Sequence, residues 1–377
     1  MTQLEYKKPI LTRARRVVVK IGSQILSSKD GIEEARLRGL VRQLAELQDG
    51  KRQVVVVSSG AVAAGMTQLG WKERPKTIPE KQALAAVGQI KLMALYERTF
   101  AKFNISVAQV LLTAADLANR QRYINAKHTF QMLLGSSIIP IVNENDTVAV
   151  EEMKFGDNDH LSALVATLLE ADLLVILSDV EGVYDKDPRV HEDALLIPLI
   201  AEARGLRQGV GGASVSAAGT GGIASKIAAA EEAAAAGIPT IIASGMQSGV
   251  LEKVFDVKQQ IGTLILPDDK HLRRKKHWIV FNLKPAGTIV VNEGAYQAVV
   301  GKGKSLLPAG VEKVEGSFGV GDCVRIDFQG KEFACGLVNY GQSELNRIKG
   351  LHTSKIEKVL GYKAHDEVIH RDDLVIL

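Results

Sequence analysis

The chain has 377 residues, 46% of them hydrophobic and 24% charged, with a net charge of +4, the make-up of an ordinary folded protein with room for two domains. No apolar run reaches the roughly 18 residues of a membrane helix, and Met1 to Arg16 mixes acids, lysines and arginines without an apolar leader core, so a cytoplasmic, membrane-free protein is expected. Residues 1–270 hold 31 basic and 31 acidic side chains; the whole surplus equals Arg273-Arg274-Lys275-Lys276, a solvated linker run rather than a nucleic-acid footprint.

Arg15 to Ile21 reads as a buried strand that delivers Lys20 to its end, followed at once by Gly22-Ser23. Glycine lets backbone amides approach a phosphate, and a neighbouring lysine can neutralise phosphoryl charge. Residues 33–49 carry a helical pattern, and Gln53 to Val57 form a second strand that breaks into the small residues Ser58-Ser59-Gly60-Ala61. Pro79 to Asn104 reads as a long helix, Ile105 to Leu112 as a third strand, and Arg120 to Leu134 as an amphipathic stretch. Ile138 to Val142 is a further strand.

Two Asx-rich clusters follow, Asn143-Glu144-Asn145-Asp146 and Asp157-Asn158-Asp159, on either side of a hairpin predicted over Val148 to Lys154. The first lies where a strand opens into a loop. The second opens a helix over 159–170, whose first amides attract anions. Asx residues also serve simply as caps and turns, but two clusters in one strand-hairpin-helix unit point to a ligand site. Leu173 to Leu177 is a fifth strand; the loop 178–188 after it, with Tyr184, could hold a nucleotide base. Gly205 to Gly222 is rich in glycine, serine and alanine and enters a helix over Ile227 to Ala236, a second phosphate cradle with Lys226 as a second cation.

Two imitations are set aside. Gly219-x-Gly221-x-x-Ala224 lacks the strand that precedes a dinucleotide fingerprint, and Gly303-Lys304-Ser305 lacks the first glycine of a P-loop. From Ile279 the pattern changes to short strands, predicted at 278–281, 288–292, 295–300, 323–328 and 332–338, which make a compact β-rich module. Cys323 and Cys335 fall inside its apolar segments and read as buried thiols. The fold class is therefore α/β: an open, mostly parallel sheet sandwiched by helices over 1–266, a linker over 267–277, and a small β-rich domain over 278–377.

Seven ordered segments, VVVKIGSQIL at 17–26, VVVVSSGAVAAG at 54–65, KQALAAVGQ at 81–89, VNENDTVA at 142–149, FGDNDHLSA at 155–163, GVYDKDP at 182–188 and GTGGIASK at 219–226, resemble the bacterial glutamate 5-kinase family, an amino-acid kinase domain followed by a PUA domain. The match spans essentially the whole chain. Ser23, Ser178 and Ile223-Ala224 depart from commoner family residues but keep their size or bind through the backbone. The resemblance implies ATP-dependent phosphorylation of the L-glutamate side-chain carboxylate, the first step of proline biosynthesis. It assigns Lys20, Lys226 and Asp159 to catalysis, and Ser59, Asn143, Asp146, Asp157 and Asn158 to glutamate. It assigns ATP to Lys20, Ser178, Asp179, Thr220, Gly221, Gly222, Ile223, Ala224, Ser225 and Lys226. It further implies Mg²⁺ held by phosphates and water, a homo-oligomer, and inhibition by proline. Two other readings remain: another amino-acid kinase, of the acetylglutamate or aspartate type, and an RNA-binding protein acting through the PUA-like tail. Residues 277–377 hold 12 basic and 12 acidic residues, a poor match for a phosphate backbone.

Overall fold

The computed structural model describes residues 2–28, 31–149, 158–201, 222–267 and 285–377. They fall into two compact units, Met1–Leu117 with Arg122–His271 and Ala118–Gln121 with Leu272–Leu377. The predicted hairpin at 148–154, most of the glycine-rich stretch, the linker run and the strand at 278–281 lie wholly or largely outside the described residues.

The first unit is built on an eight-stranded sheet. Its strands are β1 (Arg16–Ile21), β2 (Gln53–Ser58), β3 (Val107–Leu112), β4 (Ile139–Glu144), β5 (Leu173–Ser178), β6 (Leu199–Ile200), β7 (Thr240–Ser244) and β8 (Thr263–Ile265). The order is β3-β4-β2-β1-β5-β7-β8-β6, parallel throughout except where β8 runs against β7. Runs such as RVVVKI and QVVVVS have no polar face, and β-branched side chains suit a pleated surface covered on both sides.

Successive side chains of β1 point to opposite faces. Val17, Val19 and Ile21 pack in one core with α2 (Glu34–Asp49) and α4 (Ile78–Phe100). Val18 packs in the other, with α5 (Arg120–Gly135), α6 (Asn158–Leu169) and α7 (Gly222–Ala235). Lys20 has the parity of Val18, so it faces the α6/α7 side. The chain adds β2 to one flank of β1 and, after β4, crosses to β5 on the other flank. That reversal leaves a crevice at the carboxyl ends of these strands, where open α/β sheets bind ligands.

A helix α3 (Ala61–Leu69) follows β2 and crosses α4 backbone to backbone. A Cβ on Gly88 would stand 1.8 Å from the Ala61 carbonyl oxygen, and one on Gly65 would stand 1.9 Å from that of Leu84. Only glycine fits at either point. The start of the chain, which carried no periodic signal, forms α1 (Gln3–Arg13). Its buried Lys7 donates to the carbonyls of Lys253 (2.9 Å), Asp256 (2.7 Å) and Gln259 (2.6 Å). Gln3 Nε2 donates to the carbonyls of Pro198, Ile261 and Gly262.

The second unit contains a five-stranded sheet in which β9 (Gly287–Val291) lies between β10 (Val311–Gly316) and β11 (Cys323–Phe328), followed by β12 (Lys331–Leu337) and β13 (Leu374–Ile376). Both cysteines are free and buried, as expected. The strand predicted at Ala295–Val300 is instead part of a helix, Glu293–Lys302. The Asn292 side chain accepts from the Ala295 amide and Gly303 closes the far end in a left-handed conformation, so the caps override the β-branched pair Val299-Val300.

Candidate active site

Three buried charges meet at the crevice. Lys20, at the end of β1, places Nζ 2.5 Å from Oδ1 of Asp159, and Lys226 places Nζ 3.2 Å from Oδ2 of the same carboxylate. The three residues are 5%, 8% and 2% exposed for Lys20, Lys226 and Asp159. Asp159 stands in the first turn of α6, where helix amides favour negative charge. Ser225 Oγ adds a 2.7 Å hydrogen bond to Oδ2, and Lys226 Nζ also donates back to the Gly222 carbonyl at 2.8 Å. The sequence pattern places the start of this helix at Ile227; α7 in fact begins at Gly222, so Ile223, Ala224, Ser225 and Lys226 are helical and the two site residues lie on its opening turns.

Burial lowers the pKa of the Lys20 ammonium below the usual lysine value; Asp159 opposes that shift, Lys226 reinforces it, and the charge of Asp179 opposes it further. For Asp159, burial favours the neutral acid, but the two lysines and the hydrogen bonds from Lys20 and Ser225 prevail and hold the carboxyl below its usual range. The three side chains carry two positive charges and one negative, a buried surplus that calls for an anion. Gly22 lies beside the lysine head: a Cβ there would stand 3.3 Å from the Leu177 carbonyl oxygen and 3.6 Å from Lys20 Nζ.

Beside this triad runs a relay of amides. Asn158 Nδ2 donates to Ser59 Oγ (2.8 Å) and to Asn143 Oδ1 (2.9 Å), and Asn143 Nδ2 donates to Gln89 Oε1 (2.8 Å). Asn143 is the penultimate residue of β4 and is buried, so the strand reaches further into the Asx cluster than the apolar pattern indicates. Ser59 follows β2 directly, and Gly60, with φ of +115°, makes the turn into α3. Asp146 lies two residues beyond β4; burial raises its pKa to about 6, and it has no ion pair among the described residues. A half-buried carboxylate in that state is suited to receiving an ammonium group.

On the other flank of β1, Ser178 Oγ donates to Oδ1 of Asp179 at 3.0 Å. The loop beyond is tied down: the Val183 amide donates to Thr263 Oγ1 at 2.8 Å, and the half-buried Tyr184 bridges to Leu196. The expected site residues thus group as Lys20, Asp159, Ser225 and Lys226, then Ser59, Asn143 and Asn158, then Ser178 and Asp179, with Asp146 nearby in sequence to the second group. Asp157, Thr220 and Gly221 lie outside the described residues. Gln89 joins the amide relay but carried no site signal, being one polar residue in a largely apolar helix; its buried hydrogen bond is what marks it.

A central parallel sheet whose switch point gathers two buried lysines around one carboxylate is the framework of an α/β phosphoryl-transferring enzyme. Residues 15–244 match the amino acid kinase family, and residues 287–360 match the PUA domain. A glutamate 5-kinase of Pelobacter propionicus is 50% identical over 373 residues, spanning 98% of this chain and 100% of that protein. Others from Geobacter sulfurreducens and Thermoanaerobacter pseudethanolicus are 49% and 48% identical, over 98% and 96% of this chain and 99% and 98% of theirs. The chain belongs to the glutamate 5-kinase family, within the amino acid kinases.

Proposed function

We propose that this chain transfers the γ-phosphoryl group of ATP to the side-chain carboxylate of L-glutamate, giving L-glutamyl 5-phosphate at the start of proline biosynthesis. The observation that carries this reading is the positive surplus of the Lys20-Asp159-Lys226 triad, which an anionic phosphoryl group would balance. The family relationship supplies the substrate.

A carboxylate oxygen of glutamate attacks Pγ, the bond from Pγ to the bridging oxygen breaks, and ADP leaves with the electron pair. The nucleophile is already ionised, so no general base is required. Lys20 and Lys226 neutralise charge on the transferring group, and Asp159 holds both ammoniums in place. Asp146 binds the substrate ammonium, with Ser59, Asn143 and Asn158, and with Asp157, forming the rest of the glutamate site. Ser178, Asp179 and residues 220–226 take the nucleotide.

Among the described residues no group of three or more His, Cys, Asp or Glu could cage a metal. In this reading Mg²⁺ would enter on the phosphates with its waters, as the nucleotide implies. Proline inhibition, assembly into a homo-oligomer and a cytoplasmic setting complete the reading. Among the described residues no helix is long and apolar enough to cross a membrane. The domain over 278–377, after a linker at 267–277, supplies no chemistry in this reading, and nucleic acid has no part in it.

The test compares ATP turnover with glutamate, aspartate and N-acetylglutamate, trapping the acyl phosphate with hydroxylamine. Hydroxamate formed chiefly from glutamate is expected; a preference for either of the others would assign the chain to a neighbouring amino-acid kinase.

A further inference from the structure

We infer that Gln89 is a specificity residue whose Nε2 donates a hydrogen bond to the α-carboxylate of the bound amino acid. The inference rests on glutamate being the substrate. Three links fix the geometry. The backbone amide of Glu144 donates to Asn143 Oδ1 at 2.9 Å, so that atom is the oxygen of the side-chain amide. The other end of Asn143 is then Nδ2, a donor, and it reaches Oε1 of Gln89. The Gln89 amide is thereby oriented with Nε2 at its free end, and Nε2 has no partner among the described residues although the side chain is only 8% exposed.

A buried donor without an acceptor is costly to keep, and a site built to hydrogen-bond a substrate group rejects analogues that lack it. Asn158 Oδ1, at the other end of the relay, is also buried and without a partner among the described residues. Glutamate brings two carboxylates and one ammonium. The acceptors here, Asn158 Oδ1 and the Asp146 carboxylate, suit the ammonium. The triad takes the reacting carboxylate with the phosphoryl group. The free donor of Gln89 is left for the remaining group, the α-carboxylate.

The experiment measures kcat and KM on the full chain for L-glutamate and for its α-carboxamide, in the wild type, Gln89→Leu and Gln89→Glu. In Gln89→Leu the glutamate KM should rise about 10- to 100-fold, the loss of one charge-assisted hydrogen bond, while kcat changes much less. The preference for glutamate over its α-carboxamide should shrink by the same factor. Gln89→Glu keeps an oxygen for Asn143 and sets a negative charge against the α-carboxylate, so its preference should turn toward the α-carboxamide. Folded variants that keep the wild-type preference, or lose both substrates equally, overturn the inference. If Gln89→Leu does not fold, the near-isosteric Gln89→Glu decides alone. A wild type without glutamate turnover overturns the proposed reaction and this inference with it, whereas normal turnover with an unaltered preference overturns the inference alone.

Discussion

Replacing Asp159 by asparagine keeps the shape of the side chain and removes the one negative charge held between two buried ammoniums. In the native protein Oδ1 lies 2.5 Å from Lys20 Nζ, and Oδ2 lies 3.2 Å from Lys226 Nζ and 2.7 Å from Ser225 Oγ. An asparagine must turn its NH₂ toward one of these donors. Breaking a buried ion pair from one side costs about 3–5 kcal/mol, because the partner charge stays behind. At about 2–4 °C per kcal/mol for a unit of this size, Tm should fall by roughly 6–20 °C. ATP brings back negative charge, so its stabilising shift should be larger in Asp159→Asn than in the wild type. Turnover should fall about 10²- to 10³-fold, since the ammoniums are no longer held where charge develops. The acid limb supplies a further check. The carboxyl titrates below its ordinary value in the folded state, so its contribution is complete above about pH 4 and is lost as pH falls through the folded pKa. The variant should lack that loss. Native Tm together with native turnover in Asp159→Asn would refute the role of the triad.

Lys20→Ala and Lys226→Ala should each lower kcat far more than they raise the glutamate KM, because the charge they meet develops in transfer; steady-state kinetics showing wild-type kcat in both would remove them from catalysis. Asp146→Ala should raise the glutamate KM by roughly 10- to 100-fold, the loss of one charge-assisted hydrogen bond. In the wild type that KM should climb as pH falls through about 6, where Asp146 gains its proton, and a flat pH profile would exclude it from the ammonium site. Gly88→Ala should destabilise by at least about 1–3 kcal/mol, since its Cβ would lie 2.3 Å from the Gly65 nitrogen and the helices would have to part; unchanged thermal unfolding would contradict the packing. A chain ending near Pro267 should stay folded and turn over glutamate, a result checked by circular dichroism and hydroxamate formation; a folded, inactive product would show that the C-terminal domain completes the site.

The alternation of β1 made the position of Lys20 legible: with Val17, Val19 and Ile21 turned to one face, the lysine had to meet whatever covered the other. Its partners were not legible in that way. Asp159 and Lys226 stand far along the chain, and no spacing rule links them to a strand near the start; only the resemblance of long motifs joined them. The close crossing at Gly65 and Gly88 was hidden because a glycine in a helix says nothing about what passes over it. Ala295–Val300 misled because β-branched residues weigh more in a local reading than the caps that flank them. The first helix escaped notice for a different reason: Lys7, a residue expected in water, is buried against three carbonyls.

At Gly65 and Gly88 the backbones of α3 and α4 meet with no side chain between them, so neither helix can slide over the other at that point. Ser59, at the entrance to α3, and Gln89, on α4, are therefore held at a set separation, like marks on a rigid gauge. With the proposed contacts of Ser59 and Gln89 to the substrate, a shorter dicarboxylic amino acid would be unable to draw these marks together to regain its contacts. Selection by length would on that proposal follow from the helix crossing itself, and a change that loosens the crossing should widen the range of acceptors before it abolishes phosphoryl transfer.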